Sequence, residues 1–133
     1  MGQDTLRVYL VDDDSIFAVI TEVTLKKLYP NVELLHFLNG EEALAHIDGT
    51  ENTIPSLLFL DINMPLMNGW EFLDELARGN VPAFPICMVS SSIDPEDRRK
   101  AESNPRIIDF IEKPFEKTKL IELIEQLETA LAE

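Results

Sequence analysis

Asp12-Asp13-Asp14, Asp61, Ser90 and Lys113 are the residues whose types and settings in this chain could do chemistry. Each lies at or just past the end of a strand-like stretch: residues 6–11 before the acidic triplet, the apolar run Leu57-Leu58-Phe59-Leu60 before Asp61, the apolar run Ile86-Cys87-Met88-Val89 before Ser90, and residues 107–111 shortly before Lys113. Short unbroken apolar runs read as strands buried on both faces, as in a parallel sheet. Open α/β sheets bind ligands beyond the carboxyl ends of such strands. Carboxylates crowded there repel one another by about 4 kcal/mol per pair at ~4 Å and an effective dielectric near 20. A hard divalent cation relieves that repulsion, and an all-oxygen site with few carboxylates suits Mg2+. Lys113 adds a charge that can hold an anion, and Ser90 adds a hydroxyl donor. A carboxylate nucleophile, a metal, a hydroxyl and an ammonium together make a phosphoryl-transfer site. Taken singly, each of these residues also fits a solvated turn, a helix cap or a surface lysine; it is their agreement across four strand ends that points to a site.

The elements that must position them alternate along the chain. Residues 6–11 read as a strand, and Ser15 opens a helix with Ile16, Val19, Ile20 and Val23 at core-facing spacing. Tyr29-Pro30-Asn31 stops it, and residues 32–37 form a second strand. Asn39 caps a short helix with Glu42 three residues on, and Asn68-Gly69-Trp70-Glu71 repeats that signal after the central strand. The third helix buries Phe72, Leu73, Leu76 and Ala77. Residues 85–89 form a fourth strand, and Asp94-Pro95 starts a fourth helix with acids in its first turn. Residues 107–111 form the fifth strand, and the last helix aligns Leu120, Ile124, Leu127 and Leu131. Five strands alternating with five helices predict an α/β, doubly wound parallel sheet whose right-handed crossovers collect the strand C-termini along one edge. Neither His36 nor His46 is expected near the site, and Trp70 is expected to pack.

The 133 residues suffice for one core, and a single domain over 1–133 is expected. A net charge of −14 argues against nucleic acid or an anionic membrane as a direct partner, and favours cations and basic protein surfaces. No apolar run approaches a membrane span. The single cysteine, Cys87, lies within an apolar run and suits a reducing, cytoplasmic setting.

At these residues the chain resembles the receiver domain of two-component response regulators. The resemblance rests on Val11-Asp12-Asp13, Leu60-Asp61-Ile62-Asn63-Met64-Pro65, Asn68-Gly69, Val89-Ser90-Ser91 and Lys113-Pro114-Phe115, and spans nearly the whole chain. It implies the flavodoxin-like strand order 2-1-3-4-5. It implies Asp61 as phosphoacceptor from the phosphohistidine of a histidine kinase or phosphotransfer protein. Asp13 would bind Mg2+ directly, Asp12 largely through metal-bound water, and the backbone carbonyl of Asn63 would be a further ligand. Ser90 and Lys113 would grip the phosphoryl oxygens, and Phe110 would stand at the aromatic switch position, often tyrosine in this family. Drawing Ser90 inward would shift Ser91-Ser92-Ile93 and open room for Phe110. An unknown downstream protein would read the face made by the fourth helix, fifth strand and fifth helix. The expected role is a stand-alone switch or relay without an output domain, not an enzyme beyond its own phosphorylation and dephosphorylation. Two alternatives are a small haloacid-dehalogenase-type phosphatase using the Asp12-Asp13-Asp14 triplet, and a pseudo-receiver that binds partners without phosphorylation. The first lacks the late acidic pair that chemistry needs; the second is at odds with the complete acid, hydroxyl and lysine set.

Overall fold

All five expected strands form in the computed structural model, which describes residues 6–91 and 94–132, with side chains described as far as Thr129. The elements are β1 (Arg7–Val11), α1 (Ser15–Leu28), β2 (Glu33–Phe37), α2 (Gly40–His46), β3 (Leu57–Asp61), α3 (Gly69–Arg78), β4 (Ile86–Ser90), α4 (Pro95–Glu102), β5 (Ile107–Glu112) and α5 (Lys117–Ala132), with a short 3-10 turn at Glu51–Thr53. The strands are parallel in the order β2-β1-β3-β4-β5. Every residue of β3 and β4 is buried, the apolar runs together with the Asp61 and Ser90 that end them, whereas the edge strand β2 is only half covered.

Side chains alternate across the sheet and build two cores. On one face Tyr9, Leu58, Leu60 and Met88 meet Ala43 of α2, Phe72 and Leu76 of α3 and Ala101 of α4. On the other, Val8, Leu10, Phe59 and Cys87 meet Phe17 and Leu25 of α1 and Leu120, Leu123, Ile124 and Leu127 of α5. The side chain of Leu131 lies outside the described residues. Asn68 caps α3 through a full capping box with Glu71, and Asn39 caps α2 by accepting the Glu42 N–H.

Two stripes differ from expectation. In α1 the buried residues are Phe17, Ala18, Thr21 and Leu25, while Ile16, Val19, Ile20 and Val23 are 50–75% exposed. Both sets satisfy a helical period, so spacing alone does not choose between them. The connection chooses: only three residues separate β1 from α1, and Asp14 caps the helix by accepting the Phe17 N–H at 3.0 Å. That fixed phase lays the Phe17 ring over the sheet, 5.0 Å from Phe115, whose ring in turn lies 4.8 Å from Phe59. Burying a phenylalanine there is worth roughly 1.5–3 kcal/mol. In α3 the stripe is Phe72, Leu73 and Leu76, and Ala77 is exposed; a methyl group has little apolar area with which to hold its side of the helix inward.

Candidate functional site

The C-terminal ends of β1, β3, β4 and β5 meet along one edge. β1 runs out at Asp12, whose N–H makes the closing rung to the Phe37 carbonyl at 3.0 Å. Asp12 is fully buried and accepts the Asp14 N–H through Oδ1 at 2.9 Å. Next to it β3 ends at Asp61, 4% exposed, whose Oδ1 accepts the Asn63 N–H at 3.2 Å. The turn after Asp61 folds back so closely that Gly69, opening α3, has room for no side chain. A Cβ there would lie 3.0 Å from the Asp61 carbonyl oxygen and from Ile62 Cα. β4 ends at the buried Ser90, whose Oγ receives the Asn63 side-chain amide at 3.3 Å. Lys113, one residue past β5, is tied to β4 by its N–H on the Ser90 carbonyl at 2.8 Å, and the Lys113-Pro114 peptide is cis.

These backbone placements bring the charges together. Lys113 Nζ lies 2.7 Å from Asp12 Oδ2 and 3.7 Å from Asp61 Oδ2, over the Phe17 ring at 4.6 Å from its centroid. Asp12, Asp13 and Asp61 offer carboxylate oxygens within 4.8 Å of one another, with Asp13 exposed and the other two buried. Burial and the neighbouring Asp12 charge push the Asp61 carboxyl up to about 6, against the pull of Lys113 and the Asn63 N–H. Burial alone would lower the Lys113 ammonium; its contact with Asp12 and the charges of Asp12, Asp61 and Asp14 outweigh that and raise it above the ordinary range. One ammonium therefore does not neutralise the cluster. Asp12 Oδ2 is buried and meets the Lys113 ammonium as an ion pair. Two buried carboxylates sharing one ammonium, with Asp13 at the rim, fit a hard divalent cation.

All of the expected pocket residues (Asp12, Asp13, Asp61, Asn63, Ser90, Lys113) thus stand at one edge. Phe110 stands apart on β5 and is already 7% exposed, with the Arg98 guanidinium 5.6 Å from its ring centroid. In this conformation further burial has little to offer it. It lines a cavity of about 250 Å³ with Arg98, Ala101 and Ile107, between α4 and β5. Ser92 and Ile93, on which the expected loop shift falls, lie outside the described residues.

Asp14 stands at this edge as expected, and two neighbours, Phe17 and His36, had no expected part there. Asp14 is the α1 cap and Phe17 the ring beneath Lys113; the Asp14-to-Phe17 spacing was a usable cap signal. His36 was expected away from the site, yet its Nε2 lies 2.7 Å from the Asp12 carbonyl oxygen. No local pattern in β2 announces that contact, which depends on strand register. Trp70 does pack, and also donates its Nε1–H to Asp97 at 2.9 Å beneath the Lys100 ammonium, joining α3 to α4. His46 packs its ring against Tyr9 and Phe37, as a structural residue.

Residues 8–125 match the family model of the response regulator receiver domain. The chain belongs to this receiver family. It is 34% identical over 116 residues to a protein-glutamate methylesterase/protein-glutamine glutaminase of Desulfotalea psychrophila, covering 85% of this chain and 30% of that protein's length. It is 29% identical over 122 residues to protein PilG of Pseudomonas aeruginosa, covering 89% of this chain and 84% of that protein. A two-component response regulator from Cytophaga hutchinsonii superposes with a TM-score of 0.85 at 28% identity, covering 95% of this chain and 99% of that one. Receiver domains are signalling modules of two-component systems rather than classical enzymes, bind Mg2+ at an acidic pocket, and interact with histidine kinases or phosphotransfer proteins. Family membership removes the phosphatase alternative. Among the described residues no helix is long and apolar enough to cross a membrane.

Proposed function

We propose that this receiver takes a phosphoryl group onto the Asp61 carboxylate from the phosphohistidine of a histidine kinase or phosphotransfer protein, and that it works in the cytoplasm. The observation that carries this is the convergence on Asp61: a buried carboxylate within 4.8 Å of two others and 3.7 Å from a lysine ammonium. In the transfer, an Asp61 oxygen forms a bond to phosphorus as the phosphorus–nitrogen bond breaks. The electron pair of that bond stays with the departing imidazole. Lys113 neutralises charge on the phosphoryl oxygens, and Ser90 donates its hydroxyl to another. Asp13, Asp12, Asp61 and the Asn63 carbonyl would hold Mg2+, which would offset the negative charge shared by carboxylate and phosphoryl group. Beyond that cycle of self-phosphorylation and dephosphorylation we propose no enzymatic activity. Stand-alone action as switch or relay is part of this proposal; the chain spans 84% of PilG but 30% of the methylesterase.

Magnesium and beryllofluoride titrations test the assignment, the latter complex mimicking a phosphoryl group. Asp13 is exposed, whereas Asp12 and Asp61 are both buried and the Asp12 charge raises the Asp61 carboxyl, so most of the strain sits between Asp12 and Asp61. Asp13→Ala is therefore expected to weaken magnesium binding at least about tenfold while leaving the melting temperature in chelator nearly unchanged. Undiminished magnesium affinity would remove Asp13 from the site.

The donor's approach is proposed over α1. Ile16, Val19, Ile20 and Val23 form an exposed apolar stripe that begins beside Asp13 and Asp14 at the pocket rim, and helices bind such stripes by i, i+3, i+4, i+7 anchors. Ile20→Glu, at a position 55% exposed, is expected to slow phosphotransfer from a phosphorylated phosphotransfer protein at least about tenfold, the scale of losing one buried anchor. Labelling by acetyl phosphate, which needs no docking, is expected to stay as in wild type. Equal slowing with both donors would contradict the docking role.

The downstream partner is proposed to read α4, β5 and α5. Within α4 only Ala101 is buried; the helix is otherwise held by Asp97 and Lys100 on Trp70 and by Arg98 on Phe110. Polar and cation–π attachments of this kind are each worth about 0.5–2 kcal/mol, a scale on which phosphorylation at Asp61 can shift the population of a two-state face.

A further inference from the structure

β2 is an edge strand, and the loop carrying Asp12-Asp13-Asp14 leaves the sheet beside its end. The register pairs His36 with Leu10 and Phe37 with Val11, and the Asp12 N–H to the Phe37 carbonyl completes the ladder. There β2 ends. The chain turns into α2, and the Leu38 N–H is taken by the Glu42 carboxylate at 3.1 Å rather than by a neighbouring strand. The Asp12 carbonyl meets the half-buried His36 imidazole instead, at 2.7 Å from Nε2. A carbonyl oxygen only accepts, so Nε2 carries the proton.

That bond grips the peptide plane joining Asp12 to Asp13. With the Asp12 N–H on Phe37, both polar groups of the Asp12 backbone are held by β2. On the far side, the Asp14 N–H is held by Asp12 Oδ1. Asp13 lies between these two fixed peptide units and is itself exposed, with no side-chain hydrogen bond or ion pair among the described residues. Its carboxylate reaches the cluster with Asp12 and Asp61 through the backbone that carries it. Partners behind metal ligands typically matter to affinity because they orient the ligand.

We propose that His36 is a positioning residue for the divalent-cation site. Its Nε2–H on the Asp12 carbonyl orients the Asp12-Asp13 peptide and so aims the Asp13 carboxylate at the position a cation takes. This rests on the cation binding put forward under the proposed function, and it adds a determinant from the sheet edge that touches neither cation nor phosphoryl group.

Isothermal titration with MgCl2, at a temperature where circular dichroism finds every variant folded, tests it on wild type, His36→Leu, His36→Gln and Leu34→Ala. His36→Leu removes the donor and is expected to weaken magnesium about tenfold, while His36→Gln, whose amide can donate to the same carbonyl, stays within about threefold of wild type. Leu34→Ala, which thins the packing of the same strand, lowers the melting temperature but leaves magnesium affinity unchanged. In His36→Leu the amide NMR signals of Asp13 and Asp14 also shift before any metal is added. Wild-type affinity in His36→Leu, no recovery in His36→Gln, or an equal loss in Leu34→Ala would each overturn the inference while cation binding stands. A wild type that binds no magnesium would overturn the proposed cation site and this inference with it.

Discussion

Lys113→Ala is expected to destabilise the metal-free protein at pH 7 by about 3 kcal/mol, the scale of removing one partner from a buried ion pair. Its side chain is 13% exposed, and the Asp12 carboxylate it meets at 2.7 Å is fully buried. Without the ammonium, Asp12 and Asp61 face each other in a poorly solvated pocket with nothing between them. The Asp61 carboxyl, already at about 6 with Lys113 pulling it down, must rise further. Because the Lys113 pKa is raised above its ordinary 10.5, its contribution is fully present through neutral pH and is lost only as pH climbs past that value. Thermal or urea melts in chelator measure the loss. Added magnesium restores part of it, because a cation takes over the neutralisation, but beryllofluoride affinity does not return. A variant as stable as wild type in chelator would mean that Lys113 is a surface lysine.

Asp61→Asn moves stability the other way. The folded-state carboxyl titrates at about 6 against an ordinary 3.8. Between those values the folded protein holds a proton that the unfolded chain has lost. The contribution of Asp61 to stability therefore falls as pH rises from about 4 to 6 and stays low above that. A shift of this size corresponds to at most about 3 kcal/mol, reduced by whatever water reaches the pocket. The neutral amide escapes this penalty. In chelator, the stability difference in favour of Asp61→Asn is expected to open between pH 4 and 6 and hold at pH 7. Magnesium is expected to narrow it by stabilising wild type alone. Melts of the pair across that range check both parts. A wild type more stable than Asp61→Asn at pH 7 in chelator would show that Asp61 is not electrostatically frustrated.

Much of this was legible in the sequence because the informative signals are local. An apolar run that ends at a carboxylate or a serine announces both a buried strand and the polar edge where it stops. Right-handed crossovers then oblige Asp12, Asp61, Ser90 and Lys113 to share that edge. What was not legible depends on phase or on register. α1 carries apolar residues on two stripes, and the three-residue connection from β1, not the spacing, turned Phe17 inward and Ile20 outward. His36 is one of several residues in a short edge strand. Only its register beside Leu10 brings the imidazole to the Asp12 carbonyl. The hold of Trp70 on α4 likewise joins residues 27 positions apart, which no local pattern encodes. The exposed stripe on α1 follows from the same correction: the residues that spacing assigned to the core are the ones left exposed.

Asp61 is proposed to accept a phosphoryl group. Intact mass spectrometry after incubation with acetyl phosphate tests this most directly, on wild type with magnesium, on wild type with chelator, and on Asp61→Asn with magnesium. Wild type with magnesium is expected to gain the mass of one phosphoryl group, and the other two samples to gain none. A gain that persists in Asp61→Asn would place the phosphoacceptor elsewhere. A wild type that binds magnesium yet stays unmodified would make this chain a pseudo-receiver that signals without phosphate.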